Sequence, residues 1–343
     1  MRPLAGRDYP TSYGELRAWF ADDAACTDYL DWLRWPEGFV CPTCASVVGW
    51  RTRDGRWSCG GCRRRVSVTA GTIFHRTRTP LTVWFAAAWQ MTSQKQGISA
   101  LGMQRVLGLG SYQTSWAMLH RFRSVMVRRG QGRLDGQVEI DETFMGGARP
   151  GRPGRSHTEQ LVAVAVERLP TKGFGRARLA VVPDASAASL RQFLLDHVEP
   201  GATVITDGWV SYPRAIGSDY THEPFNVSAS GLTADVPLPG VHRIASLAKR
   251  WLLGTHQGAV DPAHLQSYLD EFVFRFNRRT SRARGLLFHR LLQQAVAGAP
   301  ITYRELVANP LPKRQPPHPP PGRRCNPASL DLGRPGRPWR GRP

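Results

Sequence analysis

The chain has 343 residues, 41% of them hydrophobic, enough to bury two or three cores and too much for a wholly disordered protein. Lys and Arg outnumber Asp and Glu by 46 to 26, a formal charge of +20 that calls for a polyanionic partner, DNA or RNA. No apolar run reaches the roughly 18 residues of a membrane span, and Met1 to Pro10 lacks a signal peptide's apolar stretch, so no membrane contact, a cytoplasmic location and reduced cysteines are expected.

Residues 1–36 form an N-terminal helical segment, with Leu16, Trp19 and Phe20, then Tyr29, Leu30, Trp32 and Leu33, at helical spacing before Pro36 and Gly38. Residues 37–78 are framed by Cys41-Pro42-Thr43-Cys44 and Cys59-Gly60-Gly61-Cys62, two knuckles with 14 residues (45–58) between them. Four thiolates at that spacing close a tetrahedral Zn2+ site, which supplies folding energy that so small a module cannot obtain from a core. Two short strands, Val47 to Arg53 and Arg56 to Ser58, flank the turn Asp54-Gly55, a zinc-ribbon pattern. Four cysteines leave no open coordination position, so the metal is structural. Arg63, Arg64 and Arg65 suit phosphate contact, and a ribbon used only for protein contacts is the alternative.

Residues 79–130 again read as helices, first through Leu81, Trp84, Phe85, Ala88 and Trp89. Ser99 to Leu107, the turn around Gly108 and Gly110, and Tyr112 to Arg123 read as helix, turn, helix. Gln113 and Thr114 open the second helix and would meet base edges in a major groove. A plain helical hairpin has the same apolar pattern.

From Leu134 the pattern turns to strands. Gln137 to Asp141 alternates, with Val138 and Ile140 facing one way and Glu139 and Asp141 the other. Leu161 to Val166 and Ala177 to Pro183 suit strands, Ala187 to Val198 a helix, and Thr203 to Thr206 a strand that Gly208 stops after Asp207. Helices follow over Val241 to Leu253 and His264 to Arg279, which makes residues 131–300 a mixed α/β catalytic domain around a central sheet. The Pro- and Arg-rich stretch at 301–343 is expected to be a disordered tail.

Two carboxylates at the ends of two strands, Asp141 and Asp207, repel one another unless a cation sits between them, as in two-metal phosphoryl-transfer enzymes. His242 follows Asp207 after 34 residues (208–241), and Lys249 follows His242 after six (243–248). With the words Val138 to Gly147, Ile205 to Trp209, Lys249 to His256 and Tyr268 to Arg279, this spacing resembles the DDE transposases, specifically the bacterial insertion-sequence branch with an N-terminal zinc ribbon.

The resemblance covers roughly residues 12–300 and implies a ribonuclease-H-like domain with Asp141 on its first strand and Asp207 after its fourth. It implies cleavage at element ends and transfer of the freed 3′-hydroxyl to target DNA by a homo-oligomer. Asp141, Asp207 and His242 would hold Mg2+ or Mn2+, with Lys249 and Arg250 toward DNA. The family has glutamate where this chain has His242, and Glu271 is the rival third ligand. An inactive DNA-binding relative and a nuclease without strand transfer are the alternative functions.

Overall fold

The computed structural model describes residues 3–127, 132–146, 159–171, 173–225, 238–258 and 260–308. Residues up to Val125 form one compact unit together with Ser281–Ala308, and Met126–Thr280 form a second. No helix among the described residues is long and apolar enough to cross a membrane.

In the first unit, α1 (Tyr13–Trp19) and α2 (Asp23–Arg34) begin where Ser12 and Asp22 cap their free N–H groups. Their buried faces meet α3 (Leu81–Ser93) and a late helix, α10 (Arg284–Ala297), around Phe20, Tyr29, Phe85 and Phe288. Gly285 of α10 lies so close to the N-terminal arm that a Cβ there would stand 1.8 Å from the Pro10 carbonyl oxygen. The span expected to be catalytic ran to residue 300, but the aromatic faces of residues 281–300 pack here instead. The tail expected to be disordered from 301 begins with a helix, α11 (Tyr303–Ala308), and its remainder lies outside the described residues.

Between these helices β1 (Gly49–Arg51), β2 (Trp57–Cys59) and β3 (Arg65–Val66) make a three-stranded antiparallel sheet. Its core is small: Phe39 stacked on Trp57 at 4.7 Å, with Val66 and the cysteines. Two further helices, α4 (Ala100–Leu107) and α5 (Tyr112–Arg123), pair across a turn in which Gly108 takes a left-handed conformation (φ 62°).

The second unit is built on β4 (Gln137–Met145), β5 (Gln160–Arg168), β6 (Phe174–Val181), β7 (Thr203–Thr206) and β8 (Thr221–Pro224), in sheet order β6-β5-β4-β7-β8. β5 runs antiparallel to both β4 and β6, and β7 and β8 run parallel to β4. This is the ribonuclease-H-like arrangement. One face is covered by α6 (Ala187–His197) and α7 (Tyr212–Ile216), over a core that includes Val138, Ile140 and Val204. The other is covered by α8 (Pro239–His256) and α9 (Leu265–Phe276), over Val162, Val164 and Val166. Strand β5 therefore buries both of its faces, which explains its unbroken apolar run.

Candidate functional site

The four cysteines converge. Their Sγ atoms all lie within 4.8 Å of one another, with Cys41–Cys62 at 3.7 Å and Cys44–Cys59 at 3.5 Å. Tetrahedral Zn–S bonds of about 2.3 Å require sulfurs about 3.8 Å apart, so the set fits zinc with little movement. The knuckles are local repeats of one geometry. Ala45 N–H returns to the Cys41 carbonyl and Arg63 N–H to that of Cys59, with both residues left-handed (φ 59° and 57°). The N–H of Cys62 reaches the Cys59 sulfur and holds that thiol down to about 6. Arg63, Arg64 and Arg65 are exposed beside it.

On α5, Gln113 and Thr114 stand exposed on the first turn, while Ser115, Met118, Leu119 and Phe122 face inward. The pair α4 and α5 thus leaves its second helix's N-terminal residues open, as a helix-turn-helix does.

Strand β4 sorts its polar residues by side. Glu142 joins Val138 and Ile140 on the α7 face, where the buried Tyr212 hydroxyl donates to it. Glu139, Asp141 and Thr143 project to the α8 face. Glu139 accepts the N–H groups of Gly240 (2.7 Å) and Val241 (3.1 Å) and pairs with Arg168 at 3.3 Å. Lys249 Nζ donates to Thr143 Oγ1 at 2.6 Å. Between these two tethers, His242 and Lys249 both act on Asp141 through their charge.

Asp207 arrives from the neighbouring strand. Glu139 pairs with Ile205 in parallel register, and two residues further along each chain stand Asp141 and Asp207. Burial and then the negative charge of Asp207 push the Asp141 carboxyl up, against the Glu142 N–H (2.8 Å), His242 and Lys249. Burial also raises Glu142 to about 7, against the Tyr212 hydroxyl and with help from Asp141 and Asp207. Like charges crowd this part of the sheet. Among the described residues, however, only the cysteines bring three or more ligand atoms within 4.8 Å of one another. Asp141, Asp207 and His242 share one end of the sheet without closing that far.

Glu271 is fully buried on α9, 3.7 Å from Arg275. That helix is fastened over β6, through Gln266 to Val181 and Leu179 and through Asn277 to Ala177. Glu271 therefore rides over a strand two places from β4, whereas His242 sits on the helix tied to β4 itself. Arg250 is exposed on α8.

Sequence reasoning assigned no role to Glu139, Thr143 or Tyr212. The signal for the first two was present, since both share the strand phase of Asp141, but their partners lie about a hundred residues away.

Residues 133–277 match the ISXO2-like transposase domain, and residues 21–65 match a transposase zinc-ribbon domain. The chain is also 28% identical to an uncharacterized protein in the transposable element ISH50 of Halobacterium salinarum, over 75% of this chain and 91% of the relative. A ribonuclease-H-like sheet preceded by a four-cysteine ribbon defines the class. The chain belongs to the insertion-sequence transposases with an N-terminal zinc ribbon.

Proposed function

We propose that this transposase cleaves DNA at the ends of its insertion sequence and joins the freed 3′-hydroxyl to a target by metal-dependent phosphoryl transfer. The observation that carries the reading is that Asp141 and Asp207 each stand two residues beyond the Glu139–Ile205 pair of two adjacent parallel strands, with His242 and Lys249 of α8 acting on Asp141. In the first step water displaces one side of a phosphodiester, leaving a 3′-hydroxyl and a 5′-phosphate. In the second, that hydroxyl displaces a bond of the target in line, and the number of phosphodiesters is conserved. Two Mg2+ or Mn2+ ions would lower the nucleophile's pKa and stabilise the leaving oxygen.

Asp141, Asp207 and His242 would hold the ions. A neutral imidazole in the third position favours Mn2+ over the harder Mg2+. Lys249, held by Thr143, presents a cation to a phosphate oxygen, and Arg250 a second. The zinc ribbon with Arg63, Arg64 and Arg65, and the exposed Gln113 and Thr114 of α5, would grip the element end as part of a homo-oligomer holding two ends.

The test is incubation of the full chain with the DNA ends flanking its gene, in Mg2+ or Mn2+, scoring nicks and joined products. Asp141→Asn and Asp207→Asn should abolish both. Cutting that never joins a 3′-end to target would replace transposition with a nuclease activity. DNA retention without cutting in either metal would leave an inactive binding protein.

A further inference from the structure

We infer that Trp209 and Val210 form an apolar docking surface for an unstacked nucleobase of the element end, next to the phosphate addressed by Asp207. This deepens the function proposed above and rests on it for the placing of that phosphate.

Trp209 is 51% exposed and Val210 78% exposed, immediately after Asp207-Gly208, and Phe144, three residues beyond Asp141, is 39% exposed. Trp209 is not part of the core. Its neighbour Tyr212 is: that ring is fully buried and holds Glu142. Among the described residues of the second unit few large apolar side chains are as exposed, and three of them follow the two aspartates.

The exposed pair is not on a loose loop. Gly208, at φ +81°, makes a turn that a side chain would strain. Its N–H donates to Thr206 Oγ1 (3.2 Å), the Trp209 N–H to Asp207 Oδ1 (2.9 Å), and the Tyr212 N–H to the Trp209 carbonyl (3.0 Å). The backbone of Trp209 is thus registered on the same carboxylate that faces the phosphate. An indole held there costs hydration unless something covers it.

Charge selects the occupant. The chain carries +20, and Arg243, Lys249 and Arg250 are exposed on α8. What approaches these carboxylates among such cations is a polyanion, and the flat apolar part of a nucleic acid is the face of a base. Aromatic side chains accept bases by stacking regardless of sequence, and aliphatic wedges separate base steps. Drawing one base out of the terminal stack also frees the backbone to bend the adjoining phosphate toward Asp141 and Asp207.

The experiment uses duplexes carrying the ends that flank the gene, with thymines at the terminal positions. Without divalent ions, permanganate should oxidise a terminal thymine when wild type is bound; Trp209→Phe should keep this reactivity and Trp209→Ala should lose it. With Mn2+, Trp209→Ala should cleave paired ends about tenfold more slowly, and an unpaired nucleotide at that position should restore the rate. Undiminished permanganate reactivity with Trp209→Ala, or none with wild type, overturns the inference. Failure of the mismatch to rescue overturns it too. A wild type that exposes the thymine through Trp209 yet never cleaves would keep the docking surface and remove the phosphoryl-transfer reading; cleavage without exposure would do the reverse.

Discussion

The carboxylate of Glu139, fully buried, accepts the N–H of Gly240 at 2.7 Å, and so fixes the start of α8 two residues along β4 from Asp141. An acidic group at a helix N-terminus satisfies free N–H groups and complements the helix dipole. Burial pushes this carboxyl up, while the Val241 and Gly240 N–H groups and Arg168 pull it down. The approach needs glycine: a Cβ on residue 240 would lie 2.6 Å from Glu139 Oε2 and 2.8 Å from the Phe174 ring. Gly240→Ala should therefore cost about 1–3 kcal/mol by overpacking. Glu139→Ala should cost a similar 1–3 kcal/mol by leaving buried N–H groups without an acceptor. Urea denaturation checks both. The two changes should be less than additive, because each breaks the same contact.

Zinc removal should act locally. The ribbon's core amounts to Phe39, Trp57, Val66 and the cysteines, too little to hold β1–β3 without a metal. One zinc per chain is expected by elemental analysis, and Cys59→Ser should lose it. Chelation should open residues 41–66 to proteolysis while strands β4–β7 stay protected. Protection of the ribbon after complete metal loss would contradict this account.

Much of this architecture was readable because the cues are local. The knuckles announce themselves by spacing, and the run Leu161 to Val166 by having no polar phase. Asp207 was readable because the short run Thr203 to Thr206 carries it past the end of β7, but Asp141, expected at a strand end, stands in the middle of β4, which continues to Met145 beside β5. Non-local cues were not readable. Strand β8, with Thr221 and Glu223 exposed, has no apolar alternation and exists because β7 offers it an edge. Helix α10 looks like any amphipathic helix following α9. Only the facing rings of Phe20, Tyr29 and Phe85 explain why Phe288 packs with the N-terminal unit. The partner of Glu139 was hidden for the same reason, a hundred residues downstream.

That packing of α10 has a pH signature. The Tyr29 hydroxyl donates to the Asp8 carbonyl at 2.8 Å and lies 2.8 Å from His289 Nδ1, so the imidazole hydrogen belongs on Nδ1. Burial, with the charge of Arg290, lowers His289 from 6.5 to about 4 against the opposing pull of Asp8. A folded-state value below the unfolded one means protons bind preferentially to the unfolded chain. Stability from this group is complete above about pH 6.5 and is lost as pH falls toward 4, by on the order of 3 kcal/mol. His289→Phe should flatten that part of the stability–pH curve, and Tyr29→Phe should cost about 1 kcal/mol at neutral pH. Chemical denaturation at pH 7.5, 6 and 5 (round values on either side of the transition, about 1–2 units apart) resolves the difference.

The third ligand can be decided by exchanging metals. His242 stands three residues after Pro239, the first residue of a helix tied to β4 at Glu139 and again at Thr143 through Lys249. Glu271, by contrast, is buried beside Arg275 on a helix bound to β6. His242→Ala should abolish strand cleavage in Mg2+. His242→Glu should retain cleavage and shift its preference from Mn2+ toward Mg2+, because a carboxylate is the harder ligand. Lys249→Ala should lower cleavage by about tenfold to a hundredfold, on the order of one or two charge-assisted contacts to phosphate, without altering metal preference. Glu271→Gln should change unfolding free energy more than metal preference, since its carboxylate is buried beside Arg275. Full Mg2+-dependent cleavage by His242→Ala, with loss in Glu271→Gln of a correctly folded chain, would transfer the role to Glu271.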